Sequence, residues 1–433
     1  MEIKKLCLLI VFLSTVSTVT FAQFDGGGGG FMGGGPPGDG GPGMPPGEQN
    51  SNEQVEATAV KAIVGKKEIT NKTFTATKAN QSVIIIKAKG SLTGENITIT
   101  KGDGASSSEE QSNFTGMNAA VLAESPSSST LNGCIVYTAA EGSNAIFAHG
   151  KEAKITINNM VIETKKNSSR GLDATYGGTI IADGISITTA GSHCAALATD
   201  RGEGTVTVSN CKAQTAGDGS PGIYSTGNIT ARNSKFIATG SEACVIEGKN
   251  SITLDSCNLT GYRRCGVMLY QSFSGDAGVG TSVLTMSNSK MTAVTGPMFY
   301  CTNTHTTINL TNNSLIFDSG VILKADGAGR WGNKGKNGAQ VEFTATDQVL
   351  KGEIKIDSIS SANITLGSGT DFNGAINTEN QSKEVKLTLC KGAKVTLTAD
   401  SYLTSLTYKD MTNEEGVASI NLNGHKLIIA GKQ

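Results

Sequence analysis

The chain has few aromatic residues, few charged residues and almost no net charge. Aromatic residues make up 5% and charged residues 17% of its 433 positions, and the formal net charge is −1. This balance argues against a nucleic-acid-binding protein that relies on attraction to phosphates. The shortage of aromatic residues argues against a compact α/β enzyme built around one large core.

Proline is also scarce outside one segment. Five of the eight prolines and 13 of the 55 glycines fall within residues 26–47. Such a tract buries too little surface to fold, so we expect residues 23–54 to form a disordered Gly/Pro-rich segment. The three remaining prolines are spread over the rest of the chain, which we expect to hold the folded domain, residues 55–433.

Residues 1–22 have the features of a secretory signal peptide. Two lysines precede an apolar run over residues 6–19, and Ala22 supplies the small residue expected just before a cleavage site. No second apolar run of about 18 residues follows, so we expect no transmembrane segment. We therefore predict a protein that is secreted or held at the cell surface.

Eight cysteines remain after the leader, scattered along the chain. An even number in an exported protein permits disulfides. Several of these cysteines fall in segments that we assign to the interior, where a free thiol acts as a small apolar side chain. The second interpretation is favoured. No Cys/His cluster of the zinc-binding type is evident, and we predict no metal site.

The rest of the chain repeats a short pattern of apolar, threonine and apolar residues followed by a turn pair. Ile155-Thr156-Ile157-Asn158-Asn159 is one example, and its first residue recurs after 25, 26, 23, 23, 32 and 24 residues. A second pattern, in which a small residue precedes an apolar–x–apolar run, recurs with the same period of about 24. Its apolar anchors are residues 146, 172, 196, 223, 244, 267, 298 and 321.

Short period-2 strands that recur every two dozen residues are typical of a parallel β-solenoid. Leucine-rich repeats need a leucine ladder that is absent here, and propeller blades need roughly 40–50 residues. We therefore predict an all-β fold: a single right-handed parallel β-helix with two or three sheets. We expect an N-terminal cap near residues 55–80, repeats from about Val83, and a C-terminal cap near residues 400–433.

Three segments resemble secreted bacterial right-handed β-helix proteins of the pectate-lyase-like superfamily, namely residues 169–177, 195–204 and 246–254. The C-terminal third, with GTDFNGAIN and ADSYLTSLTY, is similar to the passenger domains of adhesins. The resemblance covers most of residues 80–430. It implies an extracellular or surface protein, often one that binds carbohydrate or acts in adhesion.

Two long intervals in the repeat predict insertions at one corner of the solenoid. The first insertion, about residues 270–281, contains Tyr270, Phe273 and Asp276; the second, about residues 324–340, contains the only tryptophan. Aromatic rings beside cations suit a sugar that carries a carboxylate. We therefore predict a carbohydrate-binding site formed by the following residues: Tyr270, Phe273, Asp276, Arg330, Trp331, Lys334 and Lys336. Alternatively, Trp331 only packs the second insertion onto the sheet.

The second pattern also predicts a column of outward-facing side chains, most of them apolar. These residues are Phe147, Asp173, Leu197, Tyr224, Val245, Met268, Phe299 and Ile322. A stripe of this kind on a soluble protein indicates a ligand platform, a partner surface, or cover by another segment of the chain.

The function that we expect is non-catalytic: a carbohydrate-binding or adhesin-like module, without a cofactor, whose partner is a polysaccharide or cell-surface glycan. The alternative is a polysaccharide lyase acting on uronic-acid polymers. Asp173 and Asp200 would then hold Ca²⁺, and Arg201 would remove the sugar proton. An ordinary salt-bridged corner explains the same three residues, and we predict no catalytic residue. We expect no nucleic-acid partner.

Overall fold

A computed structural model describes residues 57–327 and 330–429 of the chain. The expected signal peptide and the Gly/Pro-rich segment, residues 1–54, lie outside the described residues. The described part is a parallel β-solenoid of about 15 coils, where one coil is one turn of the chain around the core. The predicted all-β fold is confirmed.

Each of the first 14 coils contributes one strand to sheet 1 and one to sheet 2, and the last coil contributes a strand to sheet 1 but none to sheet 2. The first ten coils contribute a third strand to sheet 3. Every strand pairs with the equivalent strand of the coil before and after it, always in parallel. Sheet 1 has 15 strands: β1 (Thr58–Ile63), β4 (Gln81–Ile86), β7 (Val121–Glu124), β10 (Ile146–His149), β13 (Leu172–Thr175), β16 (Leu197–Thr199), β19 (Ile223–Ser225), β22 (Cys244–Glu247), β25 (Val267–Tyr270), β28 (Phe299–Thr302), β31 (Val321–Ala325), β33 (Val349–Ile356), β35 (Asp371–Ile376), β37 (Lys394–Leu397) and β40 (Ile420–Asn421).

Sheet 2 follows sheet 1 in each coil. Its 14 strands are β2 (Lys66–Thr70), β5 (Ser91–Glu95), β8 (Ser127–Asn132), β11 (Ala153–Asn158), β14 (Thr179–Asp183), β17 (Thr205–Ser209), β20 (Asn228–Arg232), β23 (Ser251–Asp255), β26 (Thr281–Ser287), β29 (His305–Thr311), β32 (Gln340–Thr346), β34 (Ser361–Leu366), β36 (Glu384–Cys390) and β39 (Ser405–Lys409).

Sheet 3 closes the first ten coils. Its strands are β3 (Thr73–Ala76), β6 (Thr98–Lys101), β9 (Ile135–Thr138), β12 (Val161–Thr164), β15 (Ser186–Thr189), β18 (Lys212–Thr215), β21 (Lys235–Ala238), β24 (Asn258–Gly261), β27 (Lys290–Ala293) and β30 (Ser314–Phe317). A small pair, β38 (Ser401–Leu403) and β41 (Leu427–Ile429), lies at the C-terminal end.

Two short helices interrupt the strands, α1 (Glu109–Thr115) and α2 (Asn413–Ala418). Ser108 caps α1 by accepting a hydrogen bond from the amide of Gln111, and Gly116 ends it with a φ of 74°. No helix formed by the described residues is long and apolar enough to span a bilayer.

The apolar–Thr–apolar pattern is registered as predicted. Its first residues stack directly above one another in sheet 2: Ile155, Ile180, Val206, Ile229, Ile252, Leu284 and Ile308. The side chains that alternate inward are almost completely shielded from solvent, because successive residues of a strand face opposite sides. They join one continuous core that runs from Ile63 to Leu403.

Asparagine directly follows seven of the 14 sheet 2 strands because it tolerates the left-handed backbone that the bend into sheet 3 requires. Asn210, Asn233, Asn288 and Asn312 all have φ near +50°. The asparagines also bond to one another, since Nδ2 of Asn312 donates to Oδ1 of Asn288 at 2.9 Å. The repeat begins one coil earlier than Val83, because β1, β2 and β3 already pair in register with the next coil.

The second pattern predicts the outward-facing residue of sheet 1 correctly in five coils and wrongly in three. Leu197, Phe299 and Ile322 were expected to face outward, but all three are fully buried in the core. Leu197 and Phe299 occupy the inward column with Leu172 and Val267, and a register shift separates Val321 from Leu323. A shift of one residue moves a side chain to the other face. The residues before Leu197 and Phe299, Ala196 and Met298, are themselves apolar and buried, so apolarity does not distinguish the inward residue from its neighbour.

Candidate functional site

The outer face of sheet 1 carries an unusual density of polar side chains where its middle strands end. The outward column, read from the register, is Phe147, Asp173, Ala198, Tyr224, Val245, Met268, Tyr300 and Lys324. Two residues further along, Glu247, Tyr270 and Thr302 form a second column. Because strand side chains alternate, both columns lie on the side of the sheet away from the core.

Helix α1 lies over the N-terminal part of this face. Phe147 is completely buried in a small cluster with Ile85, Ala119 and Leu122, apart from the main core. The hydroxyl of Thr175 donates to the backbone oxygen of Phe114, just before the end of α1, at 2.9 Å. The apolar end of the outward stripe is therefore covered by the chain itself.

Beneath α1, one arginine joins two buried carboxylates from neighbouring coils. Nη2 of Arg170 lies 2.8 Å from Oδ2 of Asp200, and Nη1 lies 3.7 Å from Oδ2 of Asp173. Asp173 is 0% and Asp200 3% exposed. Burial raises the pKa of Asp173 well above its ordinary value and that of Asp200 to about 6, although Arg170 opposes both shifts.

Arg201 connects α1 to the first insertion. Its Nη2 lies 2.8 Å from Oδ1 of Asp276 in that insertion, and its Nη1 lies 3.2 Å from Oε1 of Glu110 in α1. The guanidinium also covers the ring of Phe114 at 3.9 Å. Burial acts to lower the pKa of Arg201, but Asp276 and Glu110 outweigh it, and the pKa lies above its ordinary value.

Glu247, which the sequence analysis did not single out, holds the start of the first insertion to the sheet. It is 1% exposed and accepts hydrogen bonds at Oε2 from the hydroxyls of Tyr224 at 2.7 Å and Tyr270 at 2.8 Å. Ser272 donates to its other oxygen. Burial and the neighbouring carboxylate raise the pKa of both tyrosines well above the ordinary value. The signal in the sequence was a glutamate in an otherwise apolar strand.

The two insertions meet, although they leave sheet 1 two coils apart, after β25 and β31. The ring of Trp331 lies against that of Tyr270, with a centroid distance of 5.1 Å and an interplanar angle of 42°. The guanidinium of Arg330 lies over Trp331 at 4.8 Å. Nδ2 of Asn337 donates to the backbone oxygen of Trp331 at 2.6 Å, which ties the second insertion to its own base.

The seven predicted sugar-binding residues fall into three groups. Tyr270, Trp331 and Arg330 form a stack in which Tyr270 is buried, Trp331 half-buried and Arg330 exposed. Phe273, Lys334 and Lys336 are exposed on the same two insertions, and Phe273 is 69% exposed. Asp276 is held by Arg201 instead.

The arrangement suits binding more readily than acid–base chemistry. A base must lose its proton, but Arg201 is held between two carboxylates that keep it charged. Within residues 57–327 and 330–429, no group of three or more His, Cys, Asp or Glu side chains is placed to hold a metal ion. Comparisons with protein-family models, with curated proteins and with solved structures found no match to this chain.

Proposed function

We propose that this protein is a non-catalytic carbohydrate-binding module that binds a polysaccharide or cell-surface glycan through its two insertions. The observation that carries the proposal is the stack of Arg330, Trp331 and Tyr270, which joins segments from different coils into one surface. A half-buried aromatic ring with a cation beside it packs against the apolar face of a sugar and attracts its charged substituents.

The charges of this surface favour an acidic sugar. Arg330, Lys334 and Lys336 all lie exposed on the second insertion. The carboxylate of Asp276 in the first insertion is engaged by Arg201, so it offers little repulsion to an approaching anion. An arginine or lysine that meets a carboxylate forms a charge-assisted hydrogen bond, which is stronger than a neutral one.

Because both insertions are anchored, ligand binding should cost less conformational entropy than it would with mobile loops. Glu247 holds the first insertion through Ser272, and Nδ2 of Asn303 donates to the backbone oxygen of Gln271 at 2.7 Å. Asn337 fixes the second insertion at Trp331. A surface that is ordered before its ligand arrives keeps more of the interaction energy as affinity.

The proposal includes an exported protein that acts in adhesion at a cell surface. Its support is the apolar leader over residues 1–22, the Gly/Pro-rich segment that follows, and the resemblance to secreted β-helix proteins of the pectate-lyase-like superfamily and to adhesin passenger domains. The parallel solenoid is consistent with both resemblances.

The alternative, a Ca²⁺-dependent polysaccharide lyase, has one feature in its favour. Asp173 and Asp200 both approach Arg170, and Arg201 directly follows Asp200 in the chain. Against it, the two aspartates are shielded by α1 and paired with Arg170, and Arg201 is fully engaged with Glu110 and Asp276. These contacts favour a role in fastening α1 and the first insertion to sheet 1.

A panel of immobilised polysaccharides that includes polygalacturonate tests the binding proposal. We expect the full chain to be retained on at least one acidic polysaccharide, and Trp331→Ala to weaken that binding by about tenfold or more, the loss expected for a central aromatic anchor. Tyr262→Ala is the matched control, because Tyr262 is an exposed aromatic residue outside both insertions. Equal binding by the Trp331 variant and the control would refute this site.

The same preparations separate binding from catalysis. Incubation with polygalacturonate and Ca²⁺ is followed by the ultraviolet absorbance of an unsaturated uronide product. We expect no product from the wild-type chain. Product that the wild type forms and Arg201→Ala does not would replace the proposed function with the lyase.

A further inference from the structure

We propose that the bend between sheets 2 and 3 is a second, independent binding surface, a groove that takes a negatively charged polysaccharide. A groove of about 800 Å³ runs along this bend across five consecutive coils, from Asn210 to Ser314. Five coils enclose four inter-strand spacings, so the groove is on the order of 19 Å long. It lies on sheets 2 and 3, whereas the two insertions leave from sheet 1.

The groove exists because the residues at the bend are small. In the five coils of the groove, the residue that follows the sheet 2 strand has a left-handed backbone, and the next residue turns inward before sheet 3 begins. At the bend of three successive coils these pairs are Asn210-Cys211, Asn233-Ser234 and Ser256-Cys257. The inward members are buried and satisfied locally; for example, the amide of Cys211 donates to the hydroxyl of Ser234 at 3.0 Å. Only short side chains line the floor.

One wall of the groove is a column of lysines. Lys212, Lys235 and Lys290 are the first residues of β18, β21 and β27, and all three are exposed. The register places Lys212 beside Lys235, then Asn258, then Lys290, so the ammonium groups leave the sheet at intervals of about 5 and about 10 Å. These three are the charged residues among those that line the groove.

The neighbouring charges offset only part of this column. At the first coil of the groove, Oδ1 of Asp183 accepts a hydrogen bond from Nδ2 of Asn210 at 2.7 Å. Arg232 and Asp255 are neighbours at the ends of β20 and β23, and their charges offset each other. Hydrogen bonds from Asn288 and Ser287 lower the pKa of Asp255, so it is ionised and already engaged. The residues that line the groove carry three positive charges and no negative one, in a chain whose formal net charge is only −1.

The chemistry of the lining favours an acidic polysaccharide over a nucleic acid. Among the described residues that line the groove, none is aromatic, so it has no platform on which bases could stack. Asparagine and serine side chains supply donors and acceptors to sugar hydroxyls, and the adjacent face of sheet 2 adds Thr207, Thr230 and Thr253 in one column. Carboxylated and sulfated sugars share the negative charge that the lysines would recognise.

The experiment compares the full chain with a variant in which Lys212, Lys235 and Lys290 are all replaced by glutamine. Its control replaces three exposed lysines elsewhere, Lys67, Lys154 and Lys351, by glutamine, which changes the net charge equally. Both are measured over a series of salt concentrations that starts at low ionic strength, against polygalacturonate and dextran sulfate. Fully methyl-esterified polygalacturonate and dextran serve as uncharged counterparts.

We expect the groove variant to lose about tenfold or more in affinity for a charged polymer, with a shallower dependence on salt, and the control to resemble the wild type. Preference for polygalacturonate or for dextran sulfate identifies the carboxylate or the sulfate as the recognised group. Unchanged affinity in the groove variant, equal losses in both variants, or equal binding of the uncharged polymers would overturn the proposal. So would a single-stranded oligothymidylate that binds the groove more tightly than either polysaccharide.

Trp331→Ala is included in the same series. If the groove binds charged polymers by itself, then adding the three lysine substitutions to Trp331→Ala should lower the affinity further than Trp331→Ala alone. If the tryptophan substitution alone abolishes all binding of charged polymers, the groove is refuted while the proposed function at the insertions stands.

Discussion

Single buried charges govern how the outer face of sheet 1 responds to pH. Asp173 and Asp200 are withdrawn from water and share Arg170, so neither has a cation of its own. The cost of desolvating each carboxylate exceeds the stabilisation that one shared arginine provides. Folding therefore shifts both carboxyl groups towards the protonated form, relative to the unfolded chain. The folded protein therefore binds protons at this site more tightly than the unfolded chain does.

The raised pKa of Asp200 predicts a specific stability profile. Because folding raises it from 3.8 to about 6, its favourable contribution is complete below pH 4 and is lost as the pH rises through 6. A shift of this size corresponds to about 3 kcal/mol. We expect Asp200→Asn to flatten the fall of the Tm between pH 4 and pH 7, measured by circular dichroism. Parallel profiles for the wild type and the variant would contradict the assignment.

The same residues show which interactions sequence periodicity cannot reveal. Arg201 and Asp276 are 75 positions apart, and their contact depends on which way an insertion folds back. Glu247 is not singled out by the repeat pattern, yet it accepts hydrogen bonds from Tyr224 and Tyr270. Periodicity specifies which coil a residue belongs to, but it carries no information on how segments outside the coil pack.

The strands that belong to the repeat were predictable from the sequence, but the segments that pack against the outside of the solenoid were not. The inward columns of sheet 2 followed from alternation alone, since Ile155, Val206 and Ile252 are fully buried as expected. Helix α1 has only seven residues and no repeat partner, so nothing in the pattern indicated it. The facing direction was predicted wrongly at Leu197 and Phe299. Alanine precedes the first strand, and proline and methionine precede the second, and these residues do not indicate which side chain faces the core.

Arg201 is the contact by which α1 and the first insertion stabilise each other. We expect Arg201→Met to leave the Tm almost unchanged, because a partly exposed ion pair contributes only about 0–1 kcal/mol. Local opening should nevertheless increase, and limited proteolysis with mass spectrometry should show faster cleavage within residues 103–118 or 271–280. Lys386→Met, which removes an exposed pair with Glu384, is the control. Identical cleavage in both variants would contradict this role.

At the scale of the molecule, the hydrophobic core rather than disulfides holds together the coils of residues 57–327 and 330–429. The eight cysteines among the described residues are all free thiols, and seven are buried. The favoured interpretation of the sequence, that they act as small interior side chains, is confirmed. Burial raises the pKa of Cys194 to about 11 and that of Cys211 to about 12, which leaves almost no reactive thiolate at neutral pH.

This arrangement predicts the pattern of thiol labelling. With Cys7 replaced by serine, since it lies outside the described residues, one thiol of the native chain should react rapidly with a water-soluble disulfide reagent: the half-exposed Cys390. Unfolding in guanidinium should expose all eight. Mass spectrometry should place the native label on Cys390, and Cys390→Ser should abolish it. Several fast-reacting thiols in the native chain would show that the coils open more readily than the packing indicates.

The unequal lengths of the coils have a consequence for how such a protein can change. Intervals between equivalent core residues range from 23 to 32, yet the columns of sheet 2 remain in line from Ile155 to Ile308. The additional residues project outward where the chain leaves a sheet, and they do not change the stacking of the core residues. Insertion and deletion at these corners can therefore reshape what the surface recognises while the hydrophobic interior stays untouched, so that specificity and folding are free to evolve separately.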